Sequence, residues 1–299
     1  MVDYHRGERA VQDRAGLAEV AGRSGRSIRT AVPDVAAAFL AGQPVLFLGA
    51  EDGAGRLWTT MLAGEPGFLG VPDPHTVTVA ARPVDVDPLG AALAGVARVG
   101  MIAIEPSSRR RMRVNGVSRP DGDGLVVAVE EVVANCPKYI QRRDPVAGGP
   151  GTARVVARGT ALDGRWRERV TAADTFFVTT AAEDGRADTS HRGGGPGFVR
   201  VLSPTVLEWP DYVGNAMFLT LGNLAVRPDA GLLFPDWVEG AALHLSGTAV
   251  TDWSPEAAAR HPGARRVVRF TVSDVVEVGG HSPYRWSAPE YSRFNPESA

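Results

Sequence analysis

The sequence predicts a mainly β chain of the α+β kind, built from two related halves packed together behind a helical lead-in. Three observations carry this. Short, valine-rich apolar runs are separated by Gly, Asp and Pro turns. A Pro- and Gly-rich break at residues 144–168 is followed by a restart of the same pattern. Residues on either side of that break recur at a nearly constant offset.

Taken in order, residues 1–42 read as a helical N-terminal extension. Ala10 to Ala21 has helical spacing, and Val32 to Leu40 does so again after Pro33, which suits a first helical turn. The first half spans 43–145. Val45 to Leu48 is a strand, Glu51 to Gly55 a turn, and Arg56 to Leu62 the returning strand. Thr76 to Ala80, Val99 to Ile104, Arg111 to Val117 and Leu125 to Val133 follow as strands, with a helical segment at Pro88 to Val96. Residues 146–170 read as a linker. The second half, 171–280, repeats the plan. Its strands are Phe176 to Thr180, Arg186 to His191, Phe198 to Leu202, Thr205 to Trp209, Gly231 to Phe234, Ala241 to Thr248 and Arg266 to Val278. Asn215 to Val226 has helical spacing, and 281–299 form a tail.

The repeat is visible residue by residue. Gly55-Arg56 and Pro66-Gly67-Phe68 recur 130 positions later as Gly185-Arg186 and Pro196-Gly197-Phe198, with no gap between. Gly100 and Gly116 recur at 131 as Gly231 and Gly247. Coincident turn chemistry explains such a series less well than duplication of one unit.

Composition narrows the function classes. With 44% hydrophobic and 22% charged residues in 299, the chain can bury a substantial core. A net charge of −2 gives no bulk attraction to nucleic acid or anionic membranes. The polar start, Met1 to Ala10, is unlike a secretory leader, and no apolar run reaches the ~20 residues of a membrane span. A cytoplasmic location is expected. The single cysteine, Cys136, allows neither an intrachain disulfide nor a cysteine zinc site.

A duplicated unit lets one copy diverge, and the polar residues are unevenly shared. His191 and Arg192 oppose Met61 and Leu62, while Asn215, Thr220 and Asn223 oppose Val84, Leu89 and Ala92. Ser190, His191 and Arg192, followed by three glycines, offer a hydroxyl, a guanidinium and close backbone approach, as a phosphate requires. Asn215, Thr220 and Asn223 lie around a helix start, which attracts anions. The other reading of these residues is a Gly-rich surface loop with helix caps. The first half adds a basic turn, Arg109 to Arg111, running into Arg113, and Lys138 after Cys136-Pro137. These suit an anionic ligand or a solvated face.

The run Asp188 to Leu202, with Trp209-Pro210-Asp211-Tyr212-Val213-Gly214-Asn215, Thr220 and Asn223, resembles flavin-binding pyridoxamine 5′-phosphate oxidase-like proteins. Arg113-Val114-Asn115-Gly116 and Cys136-Pro137-Lys138 resemble segments that follow later in single-barrel relatives. Here they lie in the first half, and the second carries His244-Leu245-Ser246-Gly247 instead. The tail, Ser282 to Trp286, resembles a form found as the N-terminal part of longer proteins that carry a ferredoxin-reductase-like module. His191 departs from the proline often found there.

The resemblance implies two FMN-binding split β-barrels packed as an intrachain pseudo-dimer, with one FMN between the halves. Ser190 and Arg192 would hold the phosphate, with His191 between them in the cofactor-binding set. Asn215, Thr220 and Asn223 would surround the phosphate and ribityl chain, and Arg113 and Lys138 would reach in from the first half. It implies an oxidoreductase moving hydride between flavin and a small organic substrate, with NADH, NADPH or a partner reductase as donor, and it is compatible with a homodimer. A flavin carrier without turnover, or a barrel binding deazaflavin or haem, remains open.

No catalytic acid or base is identifiable. Ser190 and His191 are adjacent on a strand, so they point apart and make a poor nucleophile–base pair. The six histidines show no ligand spacing, so no metal site is expected. No Gly-x-Gly-x-x-Gly links a strand to a helix, so a separate nicotinamide domain is not expected.

Overall fold

Three short helices form the lead-in of the computed structural model, which describes residues 4–134, 136–146, 148–149 and 151–296. They are α1 (Arg6–Arg14), α2 (Ala18–Gly25) and α3 (Asp34–Ala41). A reciprocal cap starts α1. The Gly7 amide donates to His5 Nδ1 at 3.1 Å, and the His5 amide donates to Glu8 at 2.8 Å. Asn135, Ala147 and Pro150, which the sequence places in the basic segment and the linker, lie outside the described residues.

The first half holds β1 (Val45–Glu51), β2 (Leu57–Ala63), β3 (Leu69–Asp73), β4 (Thr76–Val79), β5 (Ala97–Glu105), β6 (Arg110–Asp121) and β7 (Gly124–Ala134). They form one antiparallel sheet in the order β2-β1-β5-β6-β7-β4-β3. Next come β8 (Pro145–Val146), β9 (Arg154–Gly159) and α4 (Gly164–Ala172). The second half holds β10 (Thr175–Ala181), β11 (Ala187–Gly193), β12 (Arg200–Ser203), β13 (Val206–Asp211), α5 (Leu219–Val226), β14 (Asp229–Pro235), β15 (Ala242–Asp252), α6 (Pro255–Ala259) and β16 (Arg266–Gly279). Its order, β11-β10-β14-β15-β16-β13-β12, repeats the first sheet strand for strand. This is the mainly β architecture of two like halves expected from the sequence.

The repeat extends to irregularities. The β6–β7 ladder shifts register between Asn115 and Gly116, and the β15–β16 ladder between Ser246 and Gly247. A side chain at either glycine would run into the carbonyl of the neighbouring strand, Ala128 or Thr271. Each bulge therefore requires glycine.

Several elements differ from the sequence reading, among them β3 and α6, which it does not assign. Residues 146–170 are more than a linker, because β9 pairs with β16 and so extends the second sheet. The stretch Pro88 to Val96 makes only one 3-10 turn, Ala92–Ala94, bracketed by Gly90 and Gly95. The tail is structured, since β17 (Arg285–Trp286) pairs with β8. No helix among the described residues is long and apolar enough to cross a membrane.

The halves meet around a pseudo-twofold axis. Phe47 stacks on Phe177, its partner at offset 130, with ring centroids 3.4 Å apart and both side chains fully buried. Thr189 Oγ1 donates to the Gly100 carbonyl at 2.8 Å, and Thr59 Oγ1 donates to the Gly231 carbonyl at 2.9 Å. A Cβ at Gly100 would meet the backbone of Asp188 and Thr189, and one at Gly231 the backbone of Leu57 and Trp58. Backbone cannot step aside as a flexible side chain can, so Gly100→Ala and Gly231→Ala are each expected to cost about 1–3 kcal/mol in urea unfolding. Unchanged midpoints would refute this packing of β11 across β5 and of β2 across β14.

On the flank of the second half, α1 packs on α5, with Gly7 and Gly222 at the crossing. Glu8 is buried there, and desolvation, with lesser help from Glu131 and Asp188, pushes its carboxyl from an ordinary 4.5 to about 8. The folded state then holds a proton that the unfolded chain releases, so stability falls as pH rises from 4.5 to about 8. Glu8→Gln should remove that slope, making the variant relatively more stable at pH 8 than at pH 5 in paired thermal melts. Parallel pH profiles would contradict it.

Candidate functional site between the halves

A cavity of about 460 Å3 opens where the end of β11 meets β6. The first half lines it with Arg111, Arg113, Cys136, Lys138 and Tyr139. The second contributes His191, Arg192 and Gly193 from β11, the Pro210 to Leu221 segment leading into α5, and Arg265 and Arg266. Ala15 and Leu17 of the lead-in close one side. The volume lies within the ~300–1,000 Å3 range of small-molecule sites.

Strand geometry explains the cationic wall. Arg111 and Arg113 are two apart on β6 and therefore share a face. Arg113 Nη1 donates to both carboxylate oxygens of Asp188 at 3.1 and 3.0 Å, pinning the halves together. Arg111 Nη1 donates to His191 Nδ1 at 2.8 Å. The Nε atoms of Arg111 and Arg113 are buried without a protein partner. Burial, then the charges of Arg113 and Arg192, pull Arg111 down to about 9. Burial also lowers Arg192 to about 10, although Asp211 partly opposes this. Both remain charged at neutral pH, so the cluster holds repulsion that an anion would relieve.

His191 is neutral. Burial and three neighbouring guanidiniums, Arg111 first, hold its pKa well below the usual value. Because Nδ1 accepts from Arg111, the proton sits on Nε2, which is buried without a protein partner. Asp211, raised by burial, is paired with Arg266 at 3.1 Å. Tyr139 and Tyr212 pack with centroids 5.0 Å apart, and Tyr139 donates its hydroxyl to the Val213 carbonyl.

The backbone here is strained. Tyr139, Ala216 and Phe218 have φ of 65°, 61° and 58°, the left-handed region that favours glycine. All three line the cavity, whereas Arg109, which has φ 56°, does not. Such strain concentrates where surrounding structure holds a site in shape. Asn215 helps by accepting the Met217 amide at 3.1 Å, which turns the chain into α5.

Of the residues singled out in the sequence, His191, Arg192, Asn215, Thr220, Arg113 and Lys138 converge on the cavity. Ser190 and Asn223 are not among its lining residues. Ser190 Oγ is fully buried between Asp188 and Thr220, 3.0 Å from each, and so braces Thr220. Asn223 donates to Thr180 Oγ1 and pairs with His5 Nε2, both at 3.0 Å, on the side of α5 facing α1. Its spacing put it on the helix, but the lead-in took that face. Arg111, which the sequence leaves open between an anionic ligand and a solvated face, also lines the cavity, as do Tyr139, Tyr212 and Arg266, which it does not place in the site. The i,i+2 relation of Arg111 to Arg113 was the available signal for the first. Arg109 turns away to the Ile140 and Glu290 carbonyls.

About two-fifths of the chain is similar to each of several solved structures. A candidate pyridoxamine 5′-phosphate oxidase from Lactobacillus delbrueckii is 16% identical, covers 41% of this chain and 98% of its own, and has a TM-score of 0.34. HupZ from Group A Streptococcus is 12% identical over 38% of this chain and 90% of its own, with a TM-score of 0.31. A pyridoxamine 5′-phosphate oxidase-related, FMN-binding protein from Nostoc punctiforme is 12% identical over 42% and 90%, with a TM-score of 0.28. At these identities the likeness is one of fold. No protein-family model and no curated protein matches the chain.

Proposed function

We propose that this protein is an FMN-dependent oxidoreductase that binds one flavin per chain in the cavity between its halves. The observation that carries the reading is the convergence of three half-buried guanidiniums, Arg111, Arg113 and Arg192, on one cavity at a strained helix start. A phosphate monoester is the ligand group such an arrangement suits.

Arg192, Arg111 and Thr220 would hold the phosphate, with Lys138 and Arg113 approaching from the first half. The neutral His191 would orient Arg111 toward the ligand by accepting from it at Nδ1. When bound, FMN supplies hydride chemistry at its ring system. The protein's part is to orient the ring, to place fixed positive charge beside it, and to limit water through the Tyr139–Tyr212 pair. The substrate would be a small organic molecule, with NADH, NADPH or a partner reductase as electron donor.

One site per chain follows from the asymmetry of the repeat. At the pseudo-equivalent position, Met61 and Leu62 replace His191 and Arg192 and are buried in packing. His244 and Leu89 replace Arg113 and Thr220 there.

The visible spectrum tests the proposal directly. The purified chain, or chain mixed with FMN and desalted, is expected to show flavin bands at one FMN per chain and to bleach with NADH, NADPH or a reductase. Bands without turnover would identify a flavin carrier. A Soret band, or no retained FMN, would refute the flavin reading.

A further inference from the structure

The position pseudo-equivalent to the cavity carries its own polar cluster. Asp87, His244 and His281 converge there, each buried, with one ligand-type atom apiece all within 4.8 Å of one another. They come from three separate parts of the chain: the segment after β4, strand β15 and the tail. His281 Nε2 lies 2.8 Å from Asp87 Oδ2, and His244 Nε2 lies 4.0 Å from the same oxygen. Thr60, which occupies the place of Ser190, donates its hydroxyl to Asp87.

From this geometry we infer that Asp87, His244 and His281 form a structural binding site for a divalent transition-metal ion of the zinc type, closed by the C-terminal tail.

The decisive feature is an unmatched lone pair. His244 Nδ1 faces the Thr59 carbonyl at 2.9 Å, so Nδ1 carries the proton and Nε2 does not. That Nε2 is fully buried, has no hydrogen-bond partner, and points at a carboxylate oxygen. Two electron-rich atoms facing each other in a dry interior repel unless a cation lies between them. A divalent metal ion held by all three side chains meets that requirement.

The rest of the arrangement suits a metal. Two imidazoles and a carboxylate are a recurrent set for zinc and its neighbours, with bonds of about 2.0–2.2 Å that place ligand atoms roughly 3.3 Å apart. The 2.8 and 4.0 Å separations bracket that spacing. The ligands are also oriented from behind. The Thr59 carbonyl fixes the His244 ring, and the Leu89 amide donates to Asp87 Oδ1 at 2.8 Å. Binding at His281 Nε2 moves its proton to Nδ1, a buried atom without a protein partner, so the bound state leaves that N–H to be satisfied by a local shift or water. Tyr284, three residues on, donates to the Gly64 carbonyl, which anchors the tail over the site.

The test uses untagged full-length chain, unfolded with chelator and refolded with Zn2+, with Co2+, or without metal, then desalted. FMN is omitted so that visible Co2+ bands are not masked. The expected result is about one zinc per chain and a Co2+ spectrum typical of nitrogen and oxygen ligands, without a thiolate charge-transfer band. Metal-free chain should melt at a lower temperature than zinc-loaded chain. His244→Gln should hold zinc at least about 100-fold more weakly in competition with a chelator. Should that variant misfold, the wild-type measurements decide alone. Wild-type chain that retains no zinc after refolding, or His244→Gln chain that retains it as tightly, would overturn the inference. FMN loading is measured separately and does not enter these outcomes.

Discussion

Arg192→Ala and Arg111→Ala are each expected to weaken FMN binding by roughly 10- to 100-fold, while Arg109→Ala leaves it within about twofold. The difference comes from position. Arg111 and Arg192 face the cavity, and burial with mutual repulsion lowers the pKa of both. A bound phosphate would compensate that repulsion with charge-assisted hydrogen bonds worth about 1.5–3 kcal/mol each. Arg109 instead spends its guanidinium on the Ile140 and Glu290 carbonyls and on the exposed Glu290 carboxylate. Fluorescence titration of FMN against the three variants decides the matter. Equal loss in all three would show that the cavity is not the flavin site. A gain in thermal stability of the apo chain on removing Arg111 would agree with it, because the unrelieved repulsion would disappear.

Phe47→Ala or Phe177→Ala is expected to cost about 3–5 kcal/mol, a fall in melting temperature of roughly 5–8 °C. These rings are fully buried and stacked at 11° between planes, inside an apolar cluster drawn from both halves. Val45, Met61 and Ile102 enter it from the first half, and Leu233 and Ala242 from the second. Trp286 of the tail completes it. The double variant should cost less than the sum of the two, since each single change already breaks the same stack. Phe177 also packs edge-on against His191, with centroids 5.6 Å apart. Phe177→Ala should therefore weaken FMN binding as well as stability, while Phe47→Ala acts mainly on stability. Additive costs, or no effect on melting, would mean that the halves are held by other contacts.

Much of the fold was legible because its signals are local. The turn Glu183-Asp184-Gly185 and its earlier copy Asp52 to Gly55 sit between strands that pair through a full seven-residue register. The glycines at offset 131 mark bulges and close approaches that any copy of the unit needs. What failed locally had a tertiary cause. Strand β3 carries little alternation and is defined by its pairing with β4. Strand β9 reads as linker but is held by β16. Asn223 has the right helical position, but its face is covered by α1.

By itself, the sequence determined that two copies of one unit were present, and that one copy kept the polar residues suited to phosphate. Those facts need only a constant offset and side-chain chemistry. Only the tertiary structure decided which cations share a cavity. Arg111 and Arg113 meet His191 and Asp188 across about 75–80 residues of chain. It also decided that Asp87, His244 and His281 close on one buried point, although no spacing among them announces it. The physical reason is the same in both cases. Side-chain encounters between the halves are set by how β11 and β2 lie across the opposite sheet, and that is a property of packing around the pseudo-twofold axis rather than of any short segment.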